Sequence, residues 1–174
     1  MFFKMRSAYS VAAICSVLTV ATVASARYKC GKQEILVHAK GPGMGIEGKS
    51  PKLIIEEGDK SVTFKTFLNT INTGNGMRND HMQERFEAAK YPEIKLVVDK
   101  DKIDDKKGGT VPAMLTFHGV TKPVKVKYEV KGKRVNATFG INVTDYGIDK
   151  DKLCAFHVCA DSAVGIEVNF ELQD

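Results

Sequence analysis

Apolar and polar residues alternate with a period of two along most of the chain after residue 32, which is the repeat of a half-buried β-strand. The repeat is clearest in the last segment, where Gly, Glu, Asn and Glu separate the apolar residues Val164, Ile166, Val168, Phe170 and Leu172. The same alternation predicts further strands at residues 137–143, 124–130, 94–98, 62–68 and 35–39, and a bent strand at 46–55 that Pro51 interrupts. The pattern therefore predicts an all-β domain of about eight strands.

Residues that favour chain reversals lie between these runs, at Gly58-Asp59 and in the segments 104–109, 119–123 and 131–133. Links this short join antiparallel neighbours. About eight such strands, each burying one face, form either a sandwich or a closed barrel, and the period of two fits both. A barrel of that size is one whose interior can hold a small ligand.

One segment has a helical repeat instead. Met82, Phe86 and Ala89 share one face at helical spacing, and Asn79 or Asp80 is available as the N-cap. We therefore predict one short helix near residues 79–89. A single helix in a β domain of this kind is expected to cover an open end or edge.

The N-terminus has the three parts of a secretory signal. Lys4 and Arg6 form a basic head, residues 8–24 are uncharged and mostly apolar, and Ala24-Ser25-Ala26 offers small residues at a cleavage site. A membrane anchor is the alternative, but this apolar run is at the short end of what spans a bilayer, and serines and threonines dilute it. We predict a signal peptide at residues 1–26, a domain at 27–174 and a periplasmic location.

Charge and aromatic content argue against a nucleic-acid partner. The formal net charge of +5 falls to +3 when the two basic residues of the signal are removed, and the remaining charges of both signs are interspersed. A nucleic-acid-binding protein is expected to show a basic stripe, and the absence of Trp leaves little for base stacking.

Three cysteines remain after cleavage: Cys30, Cys154 and Cys159. Export favours a disulfide, which joins Cys30 to one of the other two or joins Cys154 to Cys159, and the odd count leaves one thiol over. With His157 the last two form a C-x₂-H-x-C cluster that allows a zinc or redox interpretation, although the spacing matches no standard zinc module.

Three segments carry a resemblance to a known family. The first runs from Ile71-Asn72-Thr73-Gly74 through Met77-Arg78-Asn79-Asp80-His81-Met82 to Lys90-Tyr91-Pro92. The second is Leu115-Thr116-Phe117-His118-Gly119-Val120-Thr121-Lys122-Pro123-Val124, and the third is the segment 139–148. In sequence, order and spacing they resemble the YceI family, over roughly residues 28–174. Val143 departs from the family pattern, which has an arginine after the asparagine at 142.

The resemblance implies an extended, lipocalin-like antiparallel barrel in the periplasm whose interior takes polyisoprenoid chains such as isoprenoid quinones or their precursors. It implies no catalytic residues and no cofactor other than the bound lipid. A lipid of this kind also implies transient contact with a membrane surface. The interior positions that we expect to contact the lipid are Val37, Phe64, Leu68, Leu96, Phe117, Val126, Tyr128, Phe139, Ile141, Ile166, Val168 and Phe170.

Arg78, His81 and His118 are candidate polar contacts for a lipid head group at the mouth of the barrel. A structural interpretation stands beside each of them: His81 lies early in the helix, His118 lies in a turn, and Arg78 with Asp80 can cap the helix. Two other function classes also stay open. One is a Cys/His redox or metal-binding protein, and the other is an interaction or stress protein whose barrel is filled by its own side chains.

Overall fold

The structure is a computed structural model, and it describes residues 28, 32–41, 43–155 and 158–172. The predicted signal peptide, Cys30 and His157 lie outside the described residues.

Most of the described chain forms one antiparallel sheet. Its nine strands are β1 (Glu34–Gly41), β2 (Met44–Ser50), β3 (Ile54–Glu57), β4 (Ser61–Phe67), β5 (Glu93–Asp99), β6 (Gly109–Phe117), β7 (Val120–Lys131), β8 (Arg134–Asn142) and β11 (Ala163–Glu171). Two short strands, β9 (Cys154–Ala155) and β10 (Val158–Cys159), pair with each other in a separate hairpin.

The strand order is β2-β1-β11-β8-β7-β6-β5-β4-β3, so the two edge strands, β2 and β3, are consecutive in the chain. Only residues 51–53 join them, and the sheet must therefore curl until its edges meet. Together β2 and β3 correspond to the predicted bent strand. Pro51 has no N–H to donate and divides that strand in two, and β6 lies in a segment for which no strand range was predicted, so nine strands are observed where about eight are predicted. The all-β, lipocalin-like fold class is confirmed.

The bend between β2 and β3 is held by hydrogen bonds among polar side chains. The Ser50 and Thr70 hydroxyls are 2.7 Å apart, and the Thr66 hydroxyl donates to the Lys52 carbonyl at 2.7 Å. Ser50 and Thr66 are 0% and 5% exposed, so these bonds supply the partners that buried hydroxyls require.

The period of two places alternate side chains of each strand in one shared interior. In β11, for example, Val168 and Phe170 are 6% and 5% exposed, and Ile166 lies opposite Phe139 of β8 in the same core. Outward-facing positions are polar or exposed, such as Met114 of β6 at 45% exposure between two buried neighbours. The hydrophobic core is thus the inside of the curled sheet.

The single α-helix of the described chain, α1 (Gly76–Arg85), begins and ends earlier than the predicted 79–89. Its N-cap is Asn75, whose side chain accepts a hydrogen bond from the Arg78 backbone N–H, and not Asn79 or Asp80. The helix ends because Glu87 adopts a left-handed backbone with φ of 49°. No helix among the described residues is long and apolar enough to cross a membrane.

The two cysteines of the β9–β10 hairpin lie opposite each other and form a disulfide, Cys154–Cys159. Of the pairings left open by the sequence, this is the one that the structure contains. Both sulfurs that the zinc interpretation requires are used in this bond.

Candidate ligand-binding site

Three cavities follow one another through the interior of the curled sheet. The largest, about 220 Å³, lies under helix α1 and is here called the helix-end cavity. A central cavity of about 50 Å³ shares Val37, Leu115 and Ile166 with it. A far-end cavity of about 50 Å³ shares Phe64 and Val168 with the central one. The apolar lining is therefore continuous from one end of the barrel to the other, and side chains narrow it at two places.

All twelve interior residues predicted from the sequence line at least one of these cavities. Those at the helix-end cavity are Val37, Leu68, Phe117, Ile141 and Ile166. The central cavity adds Phe139, and the far-end cavity is lined by Phe64, Leu96, Val126, Tyr128, Val168 and Phe170. Their contact with a lipid stays a prediction, but their shared orientation is a fact of the fold.

A polar contact lies beside the far-end cavity. The Tyr128 hydroxyl accepts a hydrogen bond from the Asp104 backbone N–H at 2.6 Å, and among the residues that the structure describes Asp105 is the one charged residue in the far-end lining. Tyr28, which is 8% exposed, completes this lining.

Side-chain hydrogen bonds fix the segment that leads into helix α1. The Asn79 side chain accepts from both the backbone N–H and the hydroxyl of Thr73, at 2.9 and 2.7 Å. The Asn72 side chain accepts from Gly74, while its backbone exchanges two hydrogen bonds with Lys49 of β2. The polar residues of the segment 72–79 thus attach helix α1 to the edge of the sheet, over the helix-end cavity.

Helix α1 turns a basic face to the helix-end cavity. Arg78, His81 and Arg85 line the cavity together with Met82, at the spacing of one helix face. Lys152, from the short 3₁₀ segment before the β9–β10 hairpin, joins them in the lining. Of the three predicted mouth residues, the structure therefore places Arg78 and His81 at the cavity.

His118 has a different position. It occupies the two-residue turn between β6 and β7, with φ of 50°, and Gly119 follows with φ of 75°. Its Nδ1 lies 3.0 Å from the Tyr146 carbonyl and its Nε2 lies 2.7 Å from Glu87 Oε2. Because the carbonyl only accepts, Nδ1 donates there, and a protonated ring donates to both partners. His118 is absent from the cavity lining and joins the helix end to the barrel instead.

At the mouth of the barrel, Glu87 connects the end of helix α1 with His118 and with Lys152. Its carboxylate bonds His118 through one oxygen and Lys152, at 3.3 Å, through the other. These hydrogen bonds, first that from His118 and then that from Lys152, hold the pKa of the Glu87 carboxyl below its ordinary value of 4.5. Glu87 and His118 are also the non-glycine residues with positive φ in the described chain, so two strained backbones support one contact.

We expect Glu87→Gln to lower stability at neutral pH and to lose that effect in acid. A depressed carboxyl pKa adds stability above about pH 4.5, and this contribution disappears as the pH falls through the lower folded-state pKa. Urea unfolding at pH 7 and pH 3 measures the difference between wild type and variant.

The matched control is Glu84→Gln, since Glu84 lies three residues before Glu87, within helix α1, and is exposed. A Glu87→Gln effect of equal size at both pH values would contradict the role of the charged carboxylate.

Two basic residues of the mouth were not predicted from the sequence. Arg85 follows Arg78 and His81 at the spacing of one helix face, so the helical repeat contains the signal that identifies it. Lys152 has no such signal, because only the tertiary fold brings the 3₁₀ segment beside the helix.

Comparison with known proteins places this architecture in a family. A family model described as a YceI-like domain matches residues 45–173. Curated relatives from Pseudomonas savastanoi pv. phaseolicola and Pseudomonas syringae pv. tomato, each named UPF0312 protein, are 33% identical over 91 residues. These alignments cover 45% of this chain and 47% of each relative, so the match spans about half the length of those relatives.

Two solved structures share the fold at low sequence identity. A polyisoprenoid-binding domain from Saccharophagus degradans, implicated in plant cell wall breakdown, is 17% identical with a TM-score of 0.60, and the match covers 81% of this chain and 94% of that one. Burkholderia cenocepacia BcnA is 18% identical with a TM-score of 0.60, covering 79% and 94%. With the family model matched over most of the chain, the conclusion is that this protein belongs to the YceI family.

Proposed function

We propose that this protein is a lipid-binding protein, not an enzyme, and that it holds a polyisoprenoid chain inside the barrel with the head group at the helix end. The observation that carries this proposal is the helix-end cavity, which continues as an apolar path toward the far end. The polyisoprenoid-binding domain of Saccharophagus degradans, which has the same fold, supports the same class of ligand.

The size of the cavity is adequate for the first part of such a chain. An apolar cavity of roughly 150 Å³ in another protein stays dry and binds benzene, and the helix-end cavity measures about 220 Å³. It therefore accommodates the equivalent of one or two prenyl units without rearrangement. A longer tail reaches the central cavity when the side chains between the two, such as Leu115 and Ile166, change rotamer.

Burial of the tail provides the binding energy. Removing roughly 400 Å² of apolar surface from water gains about 10 kcal/mol at ~25 cal/mol per Å². Ordering the chain and restricting its motion removes a large part of that gain. Because apolar contacts discriminate weakly per methylene, the tail contributes affinity, and the head group must contribute most of the selectivity.

Export to the periplasm is part of the same proposal. Residues 1–26 act as the cleaved signal peptide and residues 27–174 as the mature lipid-binding domain. The Cys154–Cys159 disulfide supports this location, since disulfides persist in oxidising compartments. Loading and release of so insoluble a ligand require transient contact with a membrane surface.

Mass spectrometry of lipids extracted from protein purified from its own host tests the proposal. We expect one isoprenoid lipid at close to one molecule per chain. Absence of lipid, together with failure of the protein to take up an added prenyl alcohol or quinone, would instead support a barrel without a ligand. The second measurement is needed because a lipid can be lost during purification.

A further inference from the structure

The disulfide-bonded hairpin β9–β10 is part of the wall of the helix-end cavity. Leu153 comes directly before Cys154 and lines that cavity. Ala160 comes directly after Cys159 and lines it as well. The Ala160 backbone N–H donates to the Leu153 carbonyl at 3.0 Å, so these two wall residues are joined beside the bonded cysteines. The disulfide therefore limits how far this part of the wall can open.

The rest of the hairpin is a small structure. Its strands have two residues each and, within the described part of the chain, pair with each other and with no strand of the nine-stranded sheet. Leu153, 8% exposed, anchors one end in the core, and beyond the other end the Asp161 backbone N–H donates to the Lys40 carbonyl at 2.7 Å. Because an isolated two-stranded hairpin is marginally stable in water, the disulfide supplies much of its stability.

A reactant in solution can reach this disulfide. Cys159 is exposed and Cys154 is partly buried. Thiol–disulfide exchange begins when a thiolate attacks one of the two sulfurs, so its rate depends on access to that sulfur. Exposed disulfides are reduced more readily than other structural disulfides of secreted proteins. The exposed side of the bond, at Cys159, is therefore the side at which exchange begins.

We propose that Cys154–Cys159 is a thiol–disulfide exchange site for a dithiol reductant, and that its reduction loosens the cavity wall and speeds release of the ligand. The inference rests on the proposed function and names a regulation of its site. A thiolate of the reductant attacks the Cys159 sulfur, breaks the S–S bond, forms a mixed disulfide and releases the Cys154 thiolate. The second thiol of the reductant then displaces Cys159, so the reductant becomes a disulfide and the hairpin gains two electrons, two protons and two free thiols.

Reduction is expected to act locally, at the mouth of the barrel. The bond closes a loop with a sequence separation of five residues, and a loop this short lowers the population of open forms by about fortyfold in the chain-entropy model. Once it is broken, the hairpin can open as a unit of its own while the sheet stays folded. Lys152 also lines the cavity and bonds Glu87, so opening of the hairpin weakens the contact between this wall and the helix end.

Release of farnesol from oxidised and reduced protein tests the proposal. The test uses residues 27–174 with the substitution Cys30→Ser, so that Cys154 and Cys159 are the only cysteines. Transfer of labelled farnesol to phosphatidylcholine vesicles measures the dissociation rate constant before and after treatment with excess dithiothreitol. We expect both hairpin thiols to become open to alkylation in the folded protein, and release to become at least about fivefold faster.

The matched control adds Cys154→Ser and Cys159→Ser to the same chain, which leaves no disulfide to reduce. We expect this control to release farnesol at the fast rate with and without dithiothreitol. Hydrogen exchange then locates the change in the reduced protein. The Ala160 amide, which bonds Leu153, should exchange faster, whereas the amide of Leu115 in β6 should keep its protection.

The possible outcomes separate this inference from the proposed function. A disulfide that stays intact in excess dithiothreitol, or equal release rates for the oxidised and reduced protein, would overturn the inference and leave lipid binding unaffected. Unfolding of the whole chain on reduction, seen by circular dichroism, would also contradict it, because the proposed change is confined to the hairpin. Failure of the oxidised protein to bind farnesol would instead overturn the proposed function, whatever alkylation shows at the hairpin.

Discussion

Ile166→Trp is expected to weaken binding of a prenyl alcohol by roughly fiftyfold to a hundredfold. Ile166 lines both the helix-end and the central cavity, so a larger ring at this position fills the space where the two meet. Loss of roughly 100 Å² of tail burial corresponds to about 2.5 kcal/mol, which is close to that factor. Displacement of a fluorescent lipid by farnesol measures the change.

The matched control for this variant is Met114→Trp. Met114 lies on the outer face of β6 and is 45% exposed, so the same ring is added outside the barrel and farnesol binding should be unchanged. Because overpacking destabilises by roughly 1–3 kcal/mol, circular dichroism must show that the Ile166→Trp protein is folded. A folded Ile166→Trp protein with wild-type affinity would place the ligand elsewhere.

Leu115→Ala is expected to lower the free energy of unfolding by about 2–5 kcal/mol, the range for truncating a buried leucine. Leu115 is 1% exposed and forms part of the wall between the helix-end and central cavities. The void left by its truncation adjoins existing empty space, and the surrounding β-strands are too constrained to close it. Urea unfolding of the ligand-free protein measures the loss.

Met114→Ala is the comparison for this effect. The Met114 side chain, next to Leu115 in β6, points to solvent, so its truncation should change the free energy of unfolding by less than about 0.5 kcal/mol. Equal losses for the two variants would mean that the inward and outward faces of β6 are not distinguished by burial. Farnesol binding should survive Leu115→Ala, because the substitution enlarges the interior.

The fold was predictable because its strongest signal is local. The alternation in β11 sets which side chains are inward, and the same parity in β1, β5, β7 and β8 gives one shared interior. The bend at Pro51 was also visible, because a residue without an N–H interrupts strand pairing. Helix bounds were less predictable: Asn75 and Asn79 are both good N-cap residues, and the hydrogen bond that the Asn79 side chain accepts from Thr73 decides between them.

The site was predictable only in part, because its polar half depends on contacts distant in sequence. His118 bonds Glu87, 31 residues away, and Lys152 bonds Glu87 across 65 residues. No local pattern distinguishes such a bonded histidine from one that faces a ligand. Prediction of the disulfide was limited in the same way, since the opposed positions of Cys154 and Cys159 follow from the pairing of β9 with β10.

The central claim is that the barrel interior receives the prenyl chain, and intermolecular nuclear Overhauser effects test it directly. With methyl-labelled protein and farnesol, the account predicts cross-peaks from the prenyl methyl groups to Val37, Leu115 and Ile166, which line the interior. Cross-peaks confined to outward residues such as Ile54 and Met114, which are 43% and 45% exposed, would contradict it.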